Sequence, residues 1–157
     1  MGFLNKVFGA KGEAEREILA CAKILYLVAL ADGKIVEQEL NTILEFLETL
    51  GFDPDKMHLS EKDFFNAGKE AGVTFKNGNV EEVIAMTKND IRDYRKRLDL
   101  LLSCVKLTES DKDLSEPELQ MFLKIAYGLG VKKEDMEKAF DNFSFESKKK
   151  MLNYSIV

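Results

Sequence analysis

The sequence predicts an all-α protein, a single-domain helical bundle of about seven to nine helices built from two pseudo-twofold related helical hairpins. Three observations predict it. Apolar residues recur at i, i+3 and i+4 rather than in alternation, and no alternating strand of useful length occurs. Capping residues and helix breakers punctuate the chain at intervals of about 10 to 20 residues, the ordinary length of globular helices. One phrase also occurs twice. Asp32-Gly33-Lys34-Ile35-Val36-Glu37-Gln38-Glu39-Leu40, running on to Leu50-Gly51, returns without a gap 79 residues later as Asp111-Lys112-Asp113-Leu114-Ser115-Glu116-Pro117-Glu118-Leu119, running on to Leu129-Gly130. Between 32/111 and 57/136, 8 of 26 positions are identical; five are Leu40, Leu44, Leu50, Gly51, Met57 and their counterparts, which packing and capping explain. The other three are acids at the helix start.

The first element spans about Glu13 to Ala31 and is apolar nearly all round from Ile18 onward, which marks a helix central to its half of the bundle. Asp32-Gly33 interrupts it. A second helix from about Val36 carries Leu40, Ile43, Leu44, Leu47 and Leu50 on one face and stops at Gly51 as a C′ glycine. Asp53-Pro54 reads as an N-cap followed by proline at N1, opening a short helix around Met57. Ser60 with Asp63 is a weaker capping signal, for a helix through Phe64 and Phe65 to the breaker Gly72. Lys76-Asn77-Gly78-Asn79 is a turn, with Asn79 capping a helix through Val83 and Ile84. Leu98 to Leu107, continuous with the Ile91 and Tyr94 region, is the counterpart of the first central helix. Ser115 with Glu118 forms a capping box that starts a helix at Glu116 and ends at Gly130. Helices over Asp135 to Phe140 and Glu146 to Tyr154 complete the chain. The organisation is therefore a short amphipathic segment, 1–12, and one domain, 13–157, with internal repeats about 18–57 and 97–136.

At 157 residues and 45% apolar content, the chain is long enough to bury a core of its own. Its two cysteines, Cys21 and Cys104, each lie inside an apolar helical run, the pattern of buried thiols in a reducing compartment; the expected location is cytoplasmic. With 28 acids against 23 scattered basic residues, nucleic acid is not an expected partner. The run Ile18 to Ala31 is too short to span a bilayer, and no secretory signal is visible. Phe3, Leu4, Val7 and Phe8 form an apolar side of about two turns, for which packing onto the bundle or into a partner's groove is the expected fate, and peripheral membrane contact through residues 3–8 needs a second signal. No nucleophile with a histidine base, phosphate loop or zinc motif is present, so an enzyme is not expected.

Two readings of the acids stand side by side. Acids in a first turn complement the helix dipole by about 0.3 to 1 kcal/mol each, and aspartate suits a turn, so Glu37, Glu39, Glu116 and Glu118 serve as caps and Asp32 and Asp111 as turn residues. Alternatively the acids coordinate a cation. Asp32-Gly33 with Glu39 matches the second half of an EF-hand, but Val28 and Leu30, and Leu107 and Glu109 in the second copy, stand at the loop's first and third places, which excludes a self-contained EF-hand. Six or more oxygens then require the two elbows to face each other. Oxygen ligands favour Ca²⁺, Mg²⁺ or Mn²⁺ over Zn²⁺, and the single histidine, His58, lies in neither elbow.

The stretch Ala31-Asp32-Gly33-Lys34-Ile35-Val36-Glu37-Gln38-Glu39-Leu40, set between an apolar helix and a helix ending Leu50-Gly51, resembles the tellurite-resistance TerB family, and is also similar to the N-terminal region of the DjlA co-chaperone. The resemblance spans about residues 13–140. It implies an all-helical, non-enzymatic domain that binds a divalent metal and acts with protein partners in stress response. Carried over by position, it marks Asp32, Glu39, Asp111 and Glu118 as metal ligands, with Glu37, Asp113 and Glu116 secondary. The second copy departs at Lys112, where the family has glycine, and the Lys112 ammonium competes with a cation for the same acids.

Overall fold

The computed structural model describes residues 12–34, 36–108, 114–141, 143–144 and 146–150, and of residues 36 and 37 only the backbone. All regular structure among them is helical. In order the helices are α1 (Glu13–Ala31), α2 (Val36–Thr49), α3 (Glu61–Asn77), α4 (Val80–Asp90), α5 (Tyr94–Leu107), α6 (Glu116–Gly128) and α7 (Lys133–Ala139), with residues 146–150 helical again.

The uniformly apolar α1 is the axis of the bundle. It packs against α2, α3, α4, α5 and α6, and its Ile24, Leu25, Tyr26 and Leu27 are wholly buried. Full burial of such a side chain contributes about 1.5 to 3 kcal/mol, and α1 carries four in succession. The expected counterpart, α5, packs against α1, α6 and α7, so the two central helices are not equivalent in their surroundings. α4 and α6 meet at Gly128, where an added Cβ would lie 2.2 Å from Ile84 Cγ2. Phe140 and Phe143 stack on each other and meet Phe122 edge-on at ring separations of 6.0 and 5.4 Å, closing the core beyond α6.

Several helix ends follow the local signals, although Asn79, at the N-cap of α4, makes no capping bond with its side chain. α1, α2 and α6 each stop in a Schellman turn: Lys34 N–H bonds Ala29 O and Gly33 N–H bonds Leu30 O; Phe52 bonds Leu47 and Gly51 bonds Glu48; Val131 bonds Ala126 and Gly130 bonds Tyr127. Ser60 and Ser115 cap α3 and α6 in complete capping boxes.

Three expected boundaries are corrected. Residues 54–57 form a turn rather than a helix, because Met57 and Lys56 N–H both return to Asp53 O and the segment ends there. α3 runs through Gly72 and stops at Gly78, whose φ of 77° supplies the left-handed exit. A mid-helix glycine costs only about 1 kcal/mol, which buried Phe64, Ala67 and Ala71 on the same helix outweigh. Finally, Ile91 and Tyr94 do not belong to one helix: α4 ends at Asp90, Ile91 is buried, and the Asp93 carboxylate accepts from Arg95 N–H to begin α5 afresh.

Candidate functional site

The first elbow is the exit of α1. Asp32 is its C-cap residue, and Gly33, at φ 79°, reverses the chain into α2, which places Glu39 within the first turns of that helix. Lys34 turns back on the elbow, its Nζ 3.5 Å from Asp32 Oδ2. The second elbow leads into α6. Glu118 sits at N3, where its Oε1 accepts from Ser115 N–H at 3.1 Å and Ser115 Oγ at 2.8 Å, while Ser115 Oγ accepts from Glu118 N–H at 3.4 Å. Behind this turn, Ser147 Oγ accepts from Leu114 N–H at 2.9 Å, so the helical turn of residues 146–150 holds the entry to α6 in place.

α1 packs directly against α6, and that contact brings acids of the two elbows together. The Asp32 and Glu118 carboxyl groups lie within hydrogen-bonding reach of each other. Glu118 is only 5% exposed, and its Oε2 is buried without a donor among the described residues. Burial raises the Glu118 pKa most, and the adjoining Asp32 carboxyl raises it further; the bonds from Ser115 pull the other way without cancelling the rise. Two carboxylates in contact at neutral pH repel unless a proton or a cation lies between them. The Tyr26 hydroxyl is also buried without a partner among the described residues, and its pKa is pushed up to about 12 by burial and then by the negative charge of Glu39.

Of the expected ligands, the structure thus joins Asp32 to Glu118 and sets Glu39 within electrostatic range of Tyr26. Glu116 is exposed on the first turn of α6. Asp111, Asp113 and the Glu37 side chain lie outside the described residues, as do Lys112 and the N-terminal stretch 3–8. Among the described residues no three His, Cys, Asp or Glu side chains gather closely enough to hold a metal ion. His58 is exposed in the loop before α3, with its backbone N–H on the Glu15 carboxylate. Sequence reasoning missed Tyr26, Lys34 and Ser147. A signal for Tyr26 existed: a polar head inside an otherwise apolar run, one and a half turns before Asp32. Ser147 lies far from the elbow in sequence and left none.

Both cysteines are free and buried, and burial pushes the Cys21 thiol up to about 12 and Cys104 higher still, the state of inert core thiols. No described helix is long and apolar enough to cross a membrane.

Fold and site together define an all-helical module in which an acid at the end of the central helix meets an acid at the start of α6. The chain belongs to the TerB family: the family described as Tellurite resistance protein TerB matches residues 18–141, most of its length. No curated protein and no solved structure matches it at a significant level.

Proposed function

We propose that this TerB-family domain is a non-enzymatic module that binds one divalent cation, Ca²⁺, Mg²⁺ or Mn²⁺ rather than Zn²⁺, between its two elbows, and that it works with a protein partner in a cytoplasmic stress response of the tellurite-resistance type. One observation carries the reading: Asp32 abuts Glu118, whose second oxygen is buried with no donor among the described residues. A hard cation neutralises such a pair and takes the oxygen that no described residue satisfies. Glu39 and Asp111 are the further ligands, with Glu37, Asp113 and Glu116 near enough in sequence to contribute directly or through water.

The test is calorimetric titration of the metal-stripped chain with each of the four cations, paired with thermal melting. A ligand of the folded state adds about 2.7 kcal/mol at a hundredfold excess over its Kd. Binding of one Ca²⁺, Mg²⁺ or Mn²⁺ per chain, lost in both Glu118→Gln and Glu39→Gln, is the expected result. Absence of any heat or melting shift would leave the second reading, an interaction module whose acids only cap helices. That reading has its own support in the complete Ser115 and Glu118 capping box.

A further inference from the structure

We infer that the outward face of α3 is a docking surface for an anionic membrane, independent of the elbows. Positions 62, 65, 66, 69, 73 and 76 share one side of this helix, opposite the face that buries Phe64, Ala67, Gly68 and Ala71. They read Lys62, Phe65, Asn66, Lys69, Val73 and Lys76, a stripe with three cations and no acid on a chain of net charge −5. The three lysines are exposed, and Val73 is 59% exposed. Lys69 Nζ lies 4.7 Å over the Phe65 ring, and among the described residues neither Lys62 nor Lys76 enters an ion pair. The flanking Glu70 is taken up by Lys23 at 2.6 Å, so it does not neutralise the row.

Shape selects the occupant. A partner helix is taken up in a groove, and the clefts at Cys21 and Lys96, at Leu123 and Tyr127, and at Leu19 and Met86 include no side chain of this stripe. The lysines instead stand seven residues apart in a row of about 21 Å along one exposed helix face, with apolar side chains between them. That pattern fits a plane of anionic headgroups: the ammonium groups reach the phosphates while Phe65, Val73 and the lysine stems enter the boundary of the acyl region.

Flotation of the full chain with vesicles tests this. Wild type is expected to float with vesicles of phosphatidylcholine containing about a third phosphatidylglycerol, to stay behind with phosphatidylcholine alone, and to be released by salt at about 0.5 M. Each lysine near an anionic surface is worth about fivefold in partitioning, so Lys62→Gln, Lys69→Gln and Lys76→Gln together should weaken it about a hundredfold. Lys69→Gln alone should weaken it about fivefold, which keeps the test valid if the triple variant melts below wild type. Wild type that floats with neither vesicle, or a triple variant that floats as wild type does, overturns the proposal. So does retention on polyglutamate beads without flotation, which would assign the stripe to an acidic protein.

Discussion

Asp32, which ends α1, meets Glu118, which opens α6, carboxyl to carboxyl, and the contact joins the two copies of the repeated phrase. Every local rule would keep like charges apart there. Packing of α1 on α6 brings them together and leaves one Glu118 oxygen buried and without a donor among the described residues.

The first prediction concerns protons. Glu118 titrates above its ordinary value of 4.5 in the folded chain, so between the two values the folded state holds more protons than the unfolded. Metal-free stability should therefore fall as pH rises from about 4.5 through the raised pKa, and the penalty should persist above it. Glu118→Gln keeps the capping box, since glutamine serves at N3. Urea melts in chelator from pH 4 to 8 should show a flatter profile for this variant and, at pH 7, stability equal to wild type or up to about 1 kcal/mol higher. A variant less stable by more than that at pH 7 would mean that the carboxylate acts only as a cap.

Lys34 is the cation already at the site, 3.5 Å from Asp32. Replacing it with glutamine removes a partly exposed ion pair worth about 0.2 to 1 kcal/mol and frees Asp32 for a metal. Cation affinity should rise by about two- to fivefold in calorimetry. Equal or weaker affinity would place Asp32 outside the site.

Gly128→Ala should cost about 1 to 3 kcal/mol in denaturant midpoint. The new Cβ would lie 2.2 Å from Ile84 Cγ2 and 3.1 Å from Ile84 Cβ, and Ile84 is fully buried and, being β-branched, stiff at χ1. Ile84→Ala in the same chain should recover part of that loss, so the two changes should be less than additive. Full additivity would show that the helices do not meet there.

Ser147→Ala leaves the buried Leu114 N–H without its partner, at a cost of about 1 to 3 kcal/mol. Because Leu114 directly precedes the Ser115 cap, the variant should also weaken any cation-induced rise in melting temperature. A loss below about 0.5 kcal/mol would mean that water replaces the hydroxyl.

The repeated phrase, the all-helical class, and the bounds of α1 were legible because each rests on interactions within one or two turns. Ser115 and Glu118 are three residues apart, and the Schellman turn at Gly33 closes within six residues. The same locality explains the misses. Asp53-Pro54 carries a correct helix-start signal, yet the chain turns only once there, and Gly72 carries a stop signal that buried neighbours on α3 override. Local chemistry proposes an end, and packing decides whether the helix obeys it.

The candidate site divides along the same line. The sequence by itself determined which residues are acids, that two sets of them open helices 79 residues apart, and that Glu118 caps α6. Only the tertiary structure decided that Asp32 reaches Glu118, that Lys34 stands on Asp32, that Tyr26 ends in a buried and unpartnered hydroxyl, and that Ser147 holds the second elbow from behind. The physical reason is that burial and through-space charge belong to neighbours brought together by packing. Closing a long loop costs only slightly more than closing a short one, so nothing in the local pattern says which distant carboxyl will arrive.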